Sequence, residues 1–531
     1  MKTRGNASRA SGRLPILSTL IVVAGAVAVT LALGSCRPHR VPKDELVVLI
    51  ESPPRSPDPR YALSAYDFKL GRLLYAPLVS VDDLTVEPKM ELAKSVRALD
   101  ATHWEVVLRD ARFSDGSQVT TSDVRYTIDS MRDPATGSRM RQRFLDDGLQ
   151  KIEETGPGRL LFTLSHPHAP FITDLDFGIL KRPPPGSKPD RSVLPIGAGP
   201  FVFQSRAHDN WTLRANPYFF GGAPPTRTLV LKTIRDDSSR LLALVGGSAD
   251  LTQNTISLLL LDAVAAQPRL KVMTAHSSVY TYLGLNCEDP ILKDRRVREA
   301  IADAIDRASI VKDKLHGHAV LATGMLPTFH WAYSADVEKH PFDPALAKRL
   351  LDEAGYPDPD GDGPKKRFTI IYKTSNDRLR VAIAEVIADM LGKVGIGVEL
   401  RVNEFATFFA DVKKGNFQLF GMQIPEIAEP DLYDNFFDSR KIPTRQNLDA
   451  GGNRMRYANP ALDQLLDEGR LEMDREKRKR IYGEVQRVLA HDLPVISLWH
   501  EDNVAAMRKN VQGFELLPTA QLTSLARTYK R

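Results

Sequence analysis

Residues 368–402 read FTIIYKTSNDRLRVAIAEVIADMLGKVGIGVELRV and hold the clearest fold signal in the chain. Phe368–Tyr372 is a short β-rich run, and Ile396–Val402 alternates apolar and polar residues with the period of a strand. Between them, apolar residues recur at helical spacing: Leu379, Ile383, Val386, Ile387, Met390, Leu391 and Val394. Gly395 follows, where the end of a helix favours a left-handed residue. Strand, helix and strand predict a right-handed crossover in a parallel sheet, and therefore an α/β fold.

Similar patterns extend to both sides of this unit. One apolar stripe predicts a single helix over Val297, Ala300, Ile301, Ala304, Ile305 and Ala308, and another predicts a helix over Ile481, Val485, Val488 and Leu489. The Pro-rich stretch at residues 181–190 is the best candidate for a domain boundary or an exposed connector.

The first 36 residues predict export. Four basic residues precede the apolar run Leu14–Leu33, which ends in Leu33-Gly34-Ser35-Cys36. This order is typical of a bacterial signal peptide, residues 1–35, with a lipoprotein cleavage box that leaves Cys36 as the lipidated N-terminus. Residues 36–45 would then form a polar tether, with the body on the outer face of a cell-envelope membrane.

Two alternatives for this segment stay open. The apolar run spans 20 residues, so it could remain as an uncleaved transmembrane anchor. Cys36 could also be an ordinary thiol behind a simple signal peptide. All three interpretations place the rest of the chain outside the cytoplasm.

Composition limits what the mature body can do. The formal charge of +6 includes Lys2, Arg4, Arg9 and Arg13 of the leader, so cleavage leaves about +2 and removes the main support for nucleic-acid binding. The remaining 496 of 531 residues suffice for two or three domains. Cys287 is the only other cysteine, so no disulfide framework is expected.

Catalytic and metal-binding motifs are scarce. HExxH, Walker A, GxSxG and CxxC patterns do not occur. Ser309-Ile-Val-Lys312 fits the SxxK pattern of serine acyl-enzymes, but its Ser-Asp-Asn and Lys-Thr-Gly companions are missing. The pairs His166/His168 and His316/His318 lack an apparent third ligand. We therefore expect no catalytic residues, no metal and no cofactor.

Six stretches carry a family resemblance and cover essentially the whole mature chain. They are WEVVLRDARFSDGS (104–117) with TSDV (121–124), GAGPFVF (197–203), ANPYFFG (215–221), DRRVREAIADAID (294–306), KRLLDEAGY (348–356) and DREKRKRIY (474–482). In this order they resemble the family 5 extracellular solute-binding proteins, a group that contains the oligopeptide-, dipeptide- and nickel-binding components of ABC importers.

The resemblance implies a two-lobed periplasmic-binding-protein fold of type II, an α/β fold with an extra domain in the first lobe. Lobe I would comprise residues 46–62, 191–278 and 500–531, the extra domain II residues 63–190, and lobe III residues 279–499. The chain would cross between the lobes near Val279–Leu283 and Ser497–Trp499. Closure of the lobes about a hinge would capture the ligand.

The resemblance also suggests ligand-binding residues. In peptide-binding relatives, an Asp ahead of an acidic-Pro pair meets the α-ammonium group of the ligand, and its neighbours pair with the peptide backbone. The matching stretch is GMQIPEIAEP (421–430), in which Glu426 takes the place of the Asp, with Met422, Gln423 and Ile424 before it. The Trp of the family pattern is absent, and Pro425 lacks one backbone donor. A Glu can still pair with an amine.

Other candidate ligand contacts come from residue type. Arg454, after Asn453, could clamp a ligand carboxylate through its planar guanidinium. Trp499 and Tyr280 lie near predicted strand ends, where α/β proteins collect the residues that line a cleft. Core packing and a surface loop are the competing explanations.

These observations predict a non-enzymatic, lipid-anchored and monomeric binding subunit of an ABC importer. It would capture peptides or similar small polar solutes and deliver them to permease subunits. Two alternatives stay open: a secreted hydrolase on a binding-protein scaffold, and a sensor or chaperone lipoprotein that uses the same cleft.

Overall fold

The computed structural model describes residues 41–81, 84–187, 191–361, 363–448 and 451–531. The predicted signal peptide, Cys36 and residues 36–40 of the tether lie outside the described residues. No helix within the described ranges is long and apolar enough to cross a membrane.

Strands and helices alternate along the chain. The strands are β1 Glu45–Ile50, β2 Val79–Ser80, β3 Lys89–Met90, β4 Ala93–Ala98, β5 His103–Leu108, β6 Leu149–Gly156, β7 Arg159–Leu164, β8 Phe201–Ala207, β9 Asn210–Ala215, β10 Thr228–Thr233, β11 Leu251–Gln253, β12 Leu270–Leu285, β13 Ala319–Leu321, β14 Phe368–Ser375, β15 Ile396–Asn403, β16 Leu419–Ile424, β17 Val495–Arg508, β18 Val511–Gln512 and β19 Tyr529–Lys530. The α-helices are α1 Ala65–Leu74, α2 Thr121–Arg132, α3 Met140–Asp146, α4 Phe171–Asp174, α5 Asp237–Gly246, α6 Leu261–Ala265, α7 Arg295–Asp303, α8 Arg307–Lys314, α9 Pro344–Glu353, α10 Arg378–Lys393, α11 Phe405–Lys414, α12 Leu432–Phe437, α13 Pro460–Leu471 and α14 Arg475–Asp492.

One large mixed sheet runs through both lobes in the order β15-β14-β16-β12-β17-β11-β1-β10-β9-β8, with β13 paired to β17. The first lobe holds β1 between the parallel strands β10 and β11. The second lobe holds β14 between the parallel strands β15 and β16. Two long antiparallel strands, β12 and β17, join the two halves.

The pairing of β12 with β17 is interrupted where the halves meet. Register shifts fall between His276 and Tyr280 and between Thr281 and Tyr282. Inside the first gap, Ser277 donates a hydrogen bond through Oγ to the carbonyl of Glu501. A bulge bends a strand locally, and these register shifts fall in the two strands that join the halves of the sheet. They lie beside the predicted crossings.

A separate antiparallel sheet, β4-β5-β7-β6, forms the centre of a smaller body. Its buried core begins at Ala76 and ends near Ile179, with Ala198 packed against it. We call residues 76–179 the small-sheet unit. Helix α1 lies outside this core, since Leu70, Leu73 and Leu74 pack in the first lobe instead. The boundary predicted at residue 63 places α1 in the extra domain, whereas the apolar residues of this helix pack in the core of the first lobe.

The strand-helix-strand unit that opened the sequence analysis is confirmed. Strands β14 and β15 pair in parallel through eight positions, from Phe368 opposite Ile396 to Ser375 opposite Asn403. Helix α10 connects them, and Asp377 caps its first turn by accepting a hydrogen bond from the Arg380 N–H. Gly395 has a φ of 89°, the left-handed conformation expected of it.

The stripe at residues 297–308 is not one helix. Helix α7 ends at Asp303, and α8 begins at Arg307 after Asp306, whose carboxylate accepts the N–H of Ser309. The apolar residues of both helices still pack in one core, which is why the sequence pattern continued across the break. The prediction of a single helix was therefore wrong, and a strong cap inside the stripe is the reason.

Candidate functional site

A large cleft lies between the lobes. Its volume is about 2590 Å³, above the roughly 300–1,000 Å³ of an ordinary small-molecule site. The first lobe, the small-sheet unit and the second lobe all contribute to its wall. Basic, acidic and apolar side chains alternate there, for example Arg378, Asp174 and Phe68.

Gln423 lines this cleft and belongs to a polar network. Its amide nitrogen donates to Thr281 Oγ1 at 3.1 Å and to the Glu501 carboxylate. Its carbonyl accepts from Arg380 Nη2 at 2.9 Å. Trp499 Nε1 donates to the same Glu501 oxygen at 3.3 Å. Because every polar group of Gln423 has a partner, its side chain is held in one orientation at the cleft wall.

Glu426 also lines the cleft, one residue beyond Pro425. Its carboxylate accepts a hydrogen bond from Gln521 Nε2 at 3.2 Å. Lys69 of α1 faces the same part of the cavity, and its ammonium lies 5.4 Å from the centre of the Tyr66 ring. Burial lowers the pKa of Lys69 to about 8, while Glu51 and Glu426 partly oppose that effect. The cleft therefore presents a carboxylate and an ammonium close together.

Met422 and Ile424 point away from the cleft. Both are buried in the second-lobe core, whereas Gln423 between them faces the cavity. Successive side chains of a strand alternate between its two faces, so three consecutive residues of β16 cannot all line one cavity. This alternation separates the three predicted neighbours of Glu426 into one cleft residue and two core residues.

The two predicted aromatic contacts also lie in the core. Trp499 is 0% exposed, and the Tyr280 hydroxyl is 2.7 Å from Ser497 Oγ. Tyr280 stacks on Tyr282 with their ring centres 5.4 Å apart. Trp499 acts on the cleft only through its hydrogen bond to Glu501, which does line the cavity.

The Asn453-Arg454 pair supports the fold beneath the cleft. Asn453 is fully buried and donates to the carbonyls of Asp438 at 3.0 Å and Tyr457 at 2.7 Å. The Arg454 guanidinium lies over the ring of Phe409 at 4.8 Å, and burial lowers its pKa. Phe409 lines the cleft, but the two predicted residues themselves do not.

A buried ionic cluster forms part of the cleft wall in the small-sheet unit. His168 Nε2 is 2.6 Å from Asp174 Oδ2 and 3.3 Å from Asp147 Oδ1. Arg143 Nε donates to Asp174 Oδ1 at 2.8 Å. The spacing of His166 and His168 in the sequence did not indicate these two carboxylate partners. The potential ligand atoms of Asp147, His168 and Asp174 lie close enough together to hold a metal ion.

The electrostatics favour an ion-pair network over a metal site. Burial alone would lower the pKa of His168, but Asp147 and Asp174 outweigh it and raise the pKa to about 9. Burial also raises the pKa of Asp174, but Arg143 and His168 outweigh this effect and lower the pKa to about 2. An imidazolium and a guanidinium therefore neutralise the two carboxylates, and no further cation is needed.

The candidate serine nucleophile has a structural role. Ser309 Oγ donates to the Asp306 carboxylate at 2.5 Å, and its backbone N–H binds the same side chain at 3.0 Å. Both contacts belong to the cap of α8. The hydroxyl therefore points at an N-cap carboxylate.

Sequence reasoning missed Lys69, Arg380 and Glu501 as cleft residues. Lys69 lies on a short amphipathic helix where a solvated lysine is the ordinary expectation. Arg380 lies in the first turn of α10, and Glu501 lies where β12 and β17 lose register. Only the meeting of distant segments brings these side chains together, so no local pattern could have found them.

Comparison with known proteins agrees with this geometry. A sequence model of bacterial extracellular solute-binding proteins, family 5 (middle region), matches residues 87–441. The oligopeptide-binding protein AppA of Bacillus subtilis is 27% identical over 481 residues, which cover 86% of each chain. The probable D,D-dipeptide-binding periplasmic protein DdpA of Escherichia coli is 28% identical over 500 residues, 90% of this chain and 92% of the relative.

Two solved structures share the fold across both lobes. AppA of Bacillus subtilis in complex with a nonapeptide has a TM-score of 0.76 at 25% identity and covers 92% of this chain and 99% of its own. NikZ of Campylobacter jejuni in complex with Ni(L-His) has a TM-score of 0.77 at 25% identity, covering 92% and 100%. The family match spans well over half of the chain, and the two-lobed α/β fold with its cleft agrees with it. The chain therefore belongs to the bacterial extracellular solute-binding proteins of family 5.

Proposed function

We propose that this protein captures peptides in the cleft between its lobes and delivers them to the permease of an ABC importer. The observation that carries the proposal is the size and chemistry of the cleft. A cavity of about 2590 Å³ has room for several amino-acid residues, and its mixed lining suits a chain of amides with varied side chains. Relatives named as oligopeptide- and dipeptide-binding proteins support it.

Glu426 is the proposed acceptor for the ligand's α-ammonium group. It lies on the segment that follows β16, at the boundary between the two lobes, and Gln521 of the first lobe already orients it. A charge-assisted hydrogen bond of this kind contributes about 1.5–3 kcal/mol, or roughly a 10- to 150-fold change in affinity. Lys69, close by, is the proposed donor to the first carbonyl oxygen of the ligand, because a peptide carries that oxygen beside its α-ammonium group.

Gln423 and Arg380 complete the proposed site from the second lobe. Their mutual hydrogen bond and the link to Glu501 hold two polar side chains at the cleft wall. Met422, Ile424, Tyr280, Trp499, Asn453 and Arg454 support this wall from the core.

Binding can be tested on the mature chain by native mass spectrometry of retained ligand, followed by calorimetry with defined peptides. Glu426→Gln should weaken binding of free-amine peptides at least 10-fold and leave N-acetylated peptides unaffected. Glu476→Gln, at an exposed glutamate on α14, is the matched control. If no peptide binds the wild-type chain, or if acetylation is without effect, the proposal fails.

The cellular setting is proposed with the function. Cys36 would carry lipid, residues 36–45 would act as a tether, and the monomeric body would work outside the cytoplasm without a cofactor or catalysis. Mass spectrometry of the mature N-terminus tests the lipid directly.

A further inference from the structure

The end of α13, the start of α14 and the loop between them contact the small-sheet unit. Arg475 forms a two-pronged ion pair with Glu87, with N–O distances of 2.6 and 3.2 Å. The Ala169 N–H donates to the carbonyl of Arg470 at 2.9 Å. Met473 packs against the core of the small-sheet unit. We call these five residues the clasp.

The clasp is connected to the cleft through Trp331. The guanidinium groups of Arg475 and Arg478 both lie over this indole, at 5.0 and 5.5 Å from the ring centre. Arg478 also donates to the carboxylate of Glu429, which lines the cavity. A continuous series of contacts therefore runs from the cleft to the ion pair with Glu87.

A second connection starts from Arg470. Its side chain lies 3.2 Å from Asp431 and 3.4 Å from Asp434, and both carboxylates line the cleft. Its backbone carbonyl is the acceptor for Ala169 in the small-sheet unit. Arg470 thus connects two cleft-lining carboxylates of the second lobe to the small-sheet unit.

We propose that the clasp holds the small-sheet unit against the second lobe, and that Arg475 and Arg478 are positioning residues that couple the state of the cleft to this contact. Because both ends of the small-sheet unit join the first lobe, the three contacts favour the closed arrangement of the two lobes. Burial raises the pKa of Glu429 to about 7, so its ionised form depends on Arg478. Any ligand group that competes for Glu429 would loosen the stack on Trp331. The inference concerns closure and does not depend on which ligand fills the cleft.

The expected effect is modest because the ion pair is half exposed. The side chains of Arg475 and Glu87 are 53% and 40% exposed. Breaking a pair of this kind should change the ratio of open to closed molecules about two- to five-fold. The backbone hydrogen bond and the Met473 contact would remain.

Two variants of the full mature chain, without added peptide, test the clasp. Glu87→Gln removes the ion pair and leaves the stack on Trp331 in place, whereas Arg475→Met removes the ion pair and the Arg475 part of the stack, with Arg478 still in contact with the ring. Arg487→Met is the matched control, because it removes the same charge from the same helix. The Arg487 side chain pairs with Glu484 and Asp336, both inside the second lobe.

Small-angle scattering and acrylamide quenching provide the readouts. Trp104, Trp211 and Trp499 are 6%, 3% and 0% exposed, so quenching reports mainly on half-buried Trp331. We expect both clasp variants to increase the radius of gyration and Arg475→Met also to increase quenching, with the control unchanged. If Glu87→Gln scatters like the wild type and the control, the clasp is refuted, whatever Arg475→Met does to quenching. Failure of peptide binding would not affect this result.

Discussion

His168 should make the stability of the small-sheet unit fall between about pH 6.5 and pH 9. Its pKa rises from 6.5 to about 9 in the folded chain, because Asp147 and Asp174 outweigh burial. A group whose pKa is raised by folding stabilises the fold fully below its unfolded pKa and loses that effect as the pH passes its folded pKa. His168 is only 2% exposed, so the difference corresponds to about 3 kcal/mol with little screening.

The two carboxylates titrate mainly below this window. Burial raises the pKa of Asp147 only to about 6, and Arg143 and His168 keep the pKa of Asp174 near about 2. The loss between pH 6.5 and 9.5 within the cluster is therefore due mainly to His168. His168→Gln should lose about 3 kcal/mol at pH 6 and little at pH 9.5, because it leaves two buried carboxylates with Arg143 as their only cation.

Denaturant unfolding followed by tryptophan emission, to which Trp104 of the small-sheet unit contributes, is a suitable assay. The Trp104 ring lies 5.3 Å from Phe171, at the start of the helix that carries Asp174. His491→Gln is the matched control, since His491 is 59% exposed and pairs with Glu338 on the surface. Equal losses of stability between pH 6 and pH 9.5 in the wild type and His168→Gln would refute the reasoning.

Two further predictions concern packing and ligand binding. Gly178→Ala would place a Cβ 2.3 Å from Tyr75 Cβ, so we expect a loss of about 1–3 kcal/mol in chemical denaturation. Gly483→Ala meets no atom within 4 Å inside α14 and should instead stabilise by up to about 1 kcal/mol; a loss there would contradict the packing argument. Because the pKa of Lys69 is about 8, peptide affinity should fall as the pH rises through 8. The α-ammonium group of the peptide also loses its proton near pH 8, so calorimetry at pH 7 and 9 should show a larger fall in the wild type than in Lys69→Met, and an equal fall in both would exclude Lys69 as the donor.

Local patterns predicted local structure well. The unit from Phe368 to Val402 has its strands, helix and left-handed glycine where the sequence indicates, because period and caps act over a few residues. The apolar stripe at residues 297–308 led to the wrong prediction of a single helix, because a cap at Asp306 divides two helices that share one core. Periodicity reports burial, and burial does not require one continuous helix.

The site was less predictable for the same physical reason. Gln423 and Glu426 line the cleft, whereas Met422 and Ile424 of β16 alternate into the core. Lys69 and Glu501 reach the cavity from segments more than 400 residues apart in number, and His168 meets its carboxylates only after folding. Contacts of this kind leave no trace in spacing along the chain.

The small-sheet unit begins and ends at neighbouring points. Ile179 donates its N–H to the carbonyl of Ala76 at 2.9 Å, and Pro77 forms a bridge with Gly178. About one hundred residues thus leave and re-enter the first lobe through a gap that a tight turn could close. In evolutionary terms the unit has the geometry of an inserted cassette. For protein engineering, it is a position where a shorter loop or a reporter domain could replace the segment, and the first lobe would keep its own core.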